Sequence, residues 1–114
     1  MVRKELEKFY KKDQNVLRTY SGRIGEIGLS RYKNGYRVLI CDVYLATGEW
    51  ISDHIWLCFE VMPYNMGLNI GDPVQFAGRV QAYKKRSGAM DFGIEAVFES
   101  IRRCDQTIIL PVLD

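Results

Sequence analysis

The sequence predicts an all-β domain, a small five-stranded antiparallel barrel with a short N-terminal helix and room for a short helix between strands 3 and 4. Three observations predict it. From Thr19 to Ser100, apolar and polar residues alternate over short runs separated by turn residues, the two-residue period of half-buried strands. Asn34-Gly35 stands between two such runs and is the strongest short hairpin signal a sequence offers. Gly22, Gly25 and Gly28 recur inside the first run, as expected of a long strand that must bulge and coil to pair on both sides.

The elements follow in order. Leu6, Phe9 and Tyr10 fall at i, i+3 and i+4 among Lys and Glu, which predicts an amphipathic helix over residues 3–17. The first strand is expected over 20–33 and the second over 36–46, with Thr47-Gly48 turning into the third over 49–60. Glu60 to Gly71 is irregular, with Pro63, Gly67 and Gly71, and has space for one helical turn. Gly71-Asp72-Pro73 opens the fourth strand, 74–84. A charged loop, Lys84 to Ala89, leads to the fifth, 90–101. The apolar tail Thr107-Ile-Ile-Leu-Pro-Val-Leu113 is a sixth strand or a docking segment. The chain thus divides into a helix over 1–18, a barrel over 19–103 and a tail over 104–114.

Bulk composition fits one soluble domain. The 114 residues suffice for a single core, and 12% aromatic residues argue against a disordered chain. The net charge of +2 does not by itself mark a partner. Its distribution is more informative: Arg3, Lys4, Lys8, Lys11 and Lys12 form one basic cluster, Lys84, Lys85 and Arg86 a second, Arg102 and Arg103 a third. Cys41, Cys58 and Cys104 show no CxxC spacing. Cys41 and Cys58 sit in apolar runs as expected of small buried hydrophobes, which points to a reducing compartment. A charged start and the lack of an apolar run near the length of a membrane span lead us to expect a cytoplasmic protein without membrane contact.

Sorting each strand into two faces locates the candidate surface. In the second strand Leu39, Cys41, Val43 and Leu45 form a uniformly apolar row, while the other row contains Asp42. The Leu39 row is therefore expected inside. In the third strand Ile51, Ile55, Leu57 and Phe59 face in, but Asp53 falls on the same row. A bulge near Ser52-Asp53, or a place for Asp53 at the barrel mouth, would resolve that conflict. Val74, Phe76, Val80 and Ala82 face in on the fourth strand, with Gln75, Arg79, Gln81 and Tyr83 outside. Phe92, Ile94, Ala96 and Phe98 face in on the fifth. Tyr36, Tyr44, Trp50, His54 and Trp56 are left on the outer face of strands 2 and 3, a larger exposed aromatic patch than a monomer needs.

No catalytic constellation stands out. Ser52-Asp53-His54 has the residue types of a hydrolase triad, but neighbours on a strand point to opposite faces and cannot form the relay. His54 is the only histidine and has no ligand spacing around it, so neither a metal nor a cofactor is expected. The repeated glycines from Gly22 to Gly28 lack the strand–turn–helix context of a phosphate loop.

The segment Ile70-Gly-Asp-Pro-Val-Gln-Phe-Ala-Gly-Arg-Val-Gln-Ala-Tyr83, and to a lesser degree Ser52-Asp-His-Ile-Trp-Leu57, resembles the fourth and third strands of OB-fold nucleic-acid-binding domains of the single-strand-binding and anticodon-binding type. The resemblance extends from Gly22 to Ser100. It implies a ligand lying across strands 2 and 3 and flanked by the first–second and fourth–fifth loops. Carried onto this sequence, the surface comprises Lys33, Tyr36, Tyr44, Trp50, His54, Trp56, Arg79, Tyr83, Lys84, Lys85 and Arg86. The implied partner is single-stranded DNA or RNA, held by base stacking and phosphate attraction. The residues leave alternatives open. Behind nucleic-acid stacking stand two other readings: the aromatic face is covered by the N-terminal helix or the tail, or it is a protein or homo-oligomer interface, with the tail as a further route to a partner. Asp42, Asp53, Asp91 and Glu95 near the proposed surface work against a polyanion.

Overall fold

The computed structural model describes residues 3–12, 15–30 and 35–104. Helix α1 spans Lys4–Lys12. It is followed by β1 (Arg18–Leu29), β2 (Tyr36–Leu45), β3 (Trp50–Phe59), a 3-10 turn over Pro63–Met66, β4 (Pro73–Lys84), β5 (Met90–Ala96), a second 3-10 turn over Phe98–Ser100, and a two-residue β6 (Arg102–Arg103). The strands form one antiparallel sheet in the order β3-β2-β1-β4-β5, with β6 on β4. A strand at Arg102–Arg103, ahead of the tail where a sixth strand was expected, was not foreseen. It arises because β5 stops at Ala96, short of the expected 101. There Ser100 Oγ donates to Val97 O (2.6 Å) and accepts from Ala77 N (2.8 Å), turning the chain back onto β4. The apolar tail lies outside the described residues.

β1 is the hinge of the sheet. Tyr20–Leu29 pair with β2, while Arg18–Arg23 pair with β4. Serving both sides requires bending, and the register of β1 against β2 slips beside Gly22 and again beside Gly25. Gly22 is needed as glycine: a Cβ there would lie 2.5 Å from Ile40 Cγ2 and 2.9 Å from Cys41 O. β3 and β5 approach each other, but no ladder joins them among the described residues.

The inner rows of β4 and β5 are as expected, with Val74, Phe76, Val80, Phe92 and Ile94 buried. In β2 the expected row holds at Val43 and Leu45 and fails before Asp42. Val38, Ile40 and Val43 are buried, while Leu39 and Cys41 lie outside and half-covered. The cause is Asp42, which adopts a left-handed conformation (φ 54°) and adds one residue to the strand, so that the inward row changes parity there. Before Asp42 the two rows are Tyr36, Val38 and Ile40 against Arg37, Leu39 and Cys41, so Arg37 was the one residue there that marked the outward row. β3 carries the bulge that Asp53 called for. Ile51 and Ser52 are both buried, opposite the step between Val43 and Tyr44, and Asp53 and His54 are exposed. Ser52 Oγ donates to His54 O (2.8 Å) and accepts from His54 N (3.3 Å), satisfying the backbone groups that the bulge disturbs.

α1 is shorter than the expected 3–17, and a helix of this length is marginal alone. It is held by Leu6, fully buried, by Tyr10 against Phe92 (5.2 Å between ring centres), and by Phe9 beneath the Arg18 guanidinium (4.2 Å). It packs over β3, β4 and β5, the side on which the sheet is not joined.

Candidate functional site

On the outer face of β2 and β3 three cross-strand pairs lie in a row: Arg37 opposite Cys58, Leu39 opposite Trp56, and Cys41 opposite His54. Trp56 is 37% exposed, and the Arg37 guanidinium lies over its ring at 4.5 Å. A cation held on the face of an exposed indole is a preformed platform for a flat, anionic ligand. His54 is exposed beside it, its Nδ1 2.9 Å from Asp53 Oδ1. Beyond the Asp42 kink, Tyr44 pairs with Trp50, 40% and 51% exposed. At the rise of a β-strand, Trp50 and Trp56 are roughly 20 Å apart along β3. The aromatic surface is therefore two islands separated by the kink.

The structure distributes the other expected residues differently. Tyr36 is not on this face: it pairs with buried Phe59 and packs against the core, because the inner row of β2 begins with it. Lys33 lies outside the described residues. Cys58 is exposed and Cys41 half-buried, on the outer face and not in the core. Arg79 stands outside on β4 opposite Glu95, with its Nε buried and without a hydrogen-bond partner among the described residues. Tyr83 pairs with Asp91 across the ladder, and its hydroxyl accepts from Arg3 Nη1 at 3.0 Å. Lys84 and Arg86 are exposed at the β4–β5 turn.

Asp91 organises that end of the sheet. It is buried (2% exposed) and receives the Arg3 backbone N at 3.0 Å, Arg3 Nη1 at 3.3 Å and Lys85 Nζ at 3.3 Å. Burial alone would raise its pKa. The hydrogen bonds from the Arg3 and Phe92 backbone, the Arg3 charge and Lys85 outweigh that, and the carboxyl is held below its usual range. Arg3 also donates to His54 O on β3 (3.2 Å) and Phe92 O on β5 (3.2 Å). One side chain thus bridges the two strands that no ladder joins.

Between β3 and β5 runs an open groove of about 660 Å³. Trp56 and Cys58 line one wall and Gln81 and Glu95 the other. Phe59 and Phe98, in edge-to-face contact, also line it, as do Tyr36, Glu60 and Glu99. No Lys or Arg lines it among the described residues.

Reasoning from the sequence missed Arg37 and Arg3. Arg37 is on the outer face only if Tyr36 is not, so the reversed row of β2 hid it. The bond pattern of Arg3 depends on contacts across more than 50 residues, for which the sequence has no local signal. Among the described residues no group of His, Cys, Asp or Glu is placed to hold a metal ion, and no helix is long and apolar enough to cross a membrane.

No family model matches the chain, and no curated protein matches it. Among solved structures it is similar to a small single-stranded DNA-binding protein from Streptomyces coelicolor, at 16% identity and a TM-score of 0.42, over 79% of this chain and 94% of that one. The likeness is too distant to assign a role, which rests on the geometry above.

Proposed function

We propose that this chain is an OB-type barrel that binds single-stranded nucleic acid across the outer face of β2 and β3, and that it acts in the cytoplasm by binding and not by catalysis. The strand order supports the barrel: a β1–β2–β3 meander, β4 returning beside β1, and β5 brought back toward β3 is the OB connection. The observation that carries the function is the Arg37–Trp56 pair, which sets a stacking surface and a positive charge together on an exposed strand. A base stacks on the flat platform that the guanidinium and the indole form together, and the guanidinium charge draws the adjoining phosphate. Trp50, Tyr44, Lys84 and Arg86 extend the track at either side.

Tryptophan fluorescence tests this reading. Titration with short oligo-dT, oligo-dC and oligo-U is expected to give saturable quenching that weakens with salt. Trp56→Ala is expected to lower affinity about 5- to 100-fold, the loss of one stacked base. No quenching by any strand at micromolar protein would overturn the reading. A second reading, a protein-binding module, is favoured by the carboxylate-lined groove beside a strand edge. An apolar protein interface would hold or tighten in salt where a nucleic-acid complex loosens.

A further inference from the structure

The groove beside Trp56 has the wrong charge for a phosphate. Glu60, Glu95 and Glu99 line it without a cation among the described lining residues, and an ionised carboxylate is only an acceptor. On the proposed platform the strand must therefore keep its phosphates on the Arg37 side, since Arg37 covers the Trp56 ring and does not line the groove. A base that slips past Trp56 enters a space of about 660 Å³, ample for one nucleobase. There it meets acceptors: Glu95, exposed on β5, and Glu99, with Gln81 from β4 able to accept and donate.

From this we infer that the groove is a base-reading subsite, with Glu95 as the specificity-determining residue, selecting bases whose edge carries an amino donor over thymine and uracil. The inference rests on the nucleic-acid reading above and names what that site prefers. Cytosine offers its N4 amino group and adenine its N6 amino group to a carboxylate, whereas thymine and uracil turn carbonyl oxygens toward it at the same position. A carboxylate facing a carbonyl leaves both without a partner, so the discrimination works by repelling the wrong edge as well as attracting the right one.

The experiment compares oligo-dC and oligo-dT of equal length at pH 8, by fluorescence anisotropy of the labelled strand, with the full chain. The wild type is expected to bind oligo-dC at least about fivefold more tightly, the lower end of what one paired base edge supplies. In Glu95→Ala the ratio is expected to fall to near one, and oligo-dT is expected to bind more tightly than to wild type because a repelling charge is gone. Glu95→Gln, which can donate to a carbonyl, is expected to move the preference toward oligo-dT. Glu95 is exposed, so these variants should keep the wild-type melting temperature, which is measured alongside. Equal binding of both strands by the wild type, or a ratio unchanged in both variants, would overturn the subsite while leaving the binding function standing. Binding of neither strand overturns both.

Discussion

Two arginine-centred arrangements border β3, one at Trp56 and one at His54, and they differ in what their charge is attached to. Arg37 lies over an exposed indole at 4.5 Å, on a surface where a ligand can reach both groups. Arg3 and Lys85 both reach the buried carboxylate of Asp91 at 3.3 Å. The first arrangement offers its charge to solvent. The second spends it on joining strands that the sheet leaves apart. A basic run in a sequence counts charges without saying which are already neutralised, and Lys84-Lys85 shows the difference between adjacent residues: Lys85 is drawn to Asp91, while Lys84 is exposed.

The largest expected effect breaks the structural member of this pair. Asp91→Ala leaves Arg3 and Lys85 without their carboxylate and removes the acceptor for the Arg3 and Phe92 backbone N–H groups. Loss of one partner from a buried pair costs about 3 kcal/mol or more, and urea unfolding of the variant should show it. The accompanying fall in melting temperature is expected to be at least about 10 °C for a domain of this size. An equal drop in Arg3→Ala would show that the brace acts as a unit. A melting temperature within a degree of wild type would show that the brace contributes nothing.

The same group gives an acid limb to stability. The folded Asp91 carboxyl is held below its usual range, so the unfolded chain takes up its proton first as pH falls. Its contribution is therefore complete above the unfolded value of about 4 and is lost as pH drops from there through the folded value. Asp91→Asn should be less stable than wild type at pH 7 and should lose less between pH 5 and pH 2. Parallel pH profiles for the two proteins would remove Asp91 from the account.

How much of this was legible beforehand follows from which signals are local. The β4 and β5 rows, the glycine-led bending of β1 and the bulge in β3 are written in residues a few positions apart, and the structure has them. The face of β2 was misread at one residue. Asp42 was taken as proof of an outward row, when its left-handed φ makes it a point where the rows exchange. That error moved Tyr36 onto the surface and Arg37 off it, so the aromatic half of the candidate site was visible and its cation was not. Asp91 was read as a charge opposing the ligand. It is buried, because a partner more than 80 residues away in the chain neutralises it.

The functional member of the pair sharpens the comparison with a smaller effect. Arg37→Ala is expected to weaken single-strand binding and to reduce the steepness of its salt dependence by roughly one counterion, the signature of a lost phosphate contact. Arg37→Lys should recover the salt slope but not the full affinity, since an ammonium supplies the charge without the flat guanidinium that lies on the indole. Lys84→Ala, with an exposed side chain at the turn, should change the slope by no more than that and leave the Trp56 quenching amplitude intact. The decisive contrast is between Arg37→Ala and Lys85→Ala. If exposure over Trp56 determines use, the first lowers affinity with little change in unfolding, whereas the second mainly lowers stability. The opposite pattern would mean that the ligand displaces Lys85 from Asp91 on binding, and that the brace is part of the site.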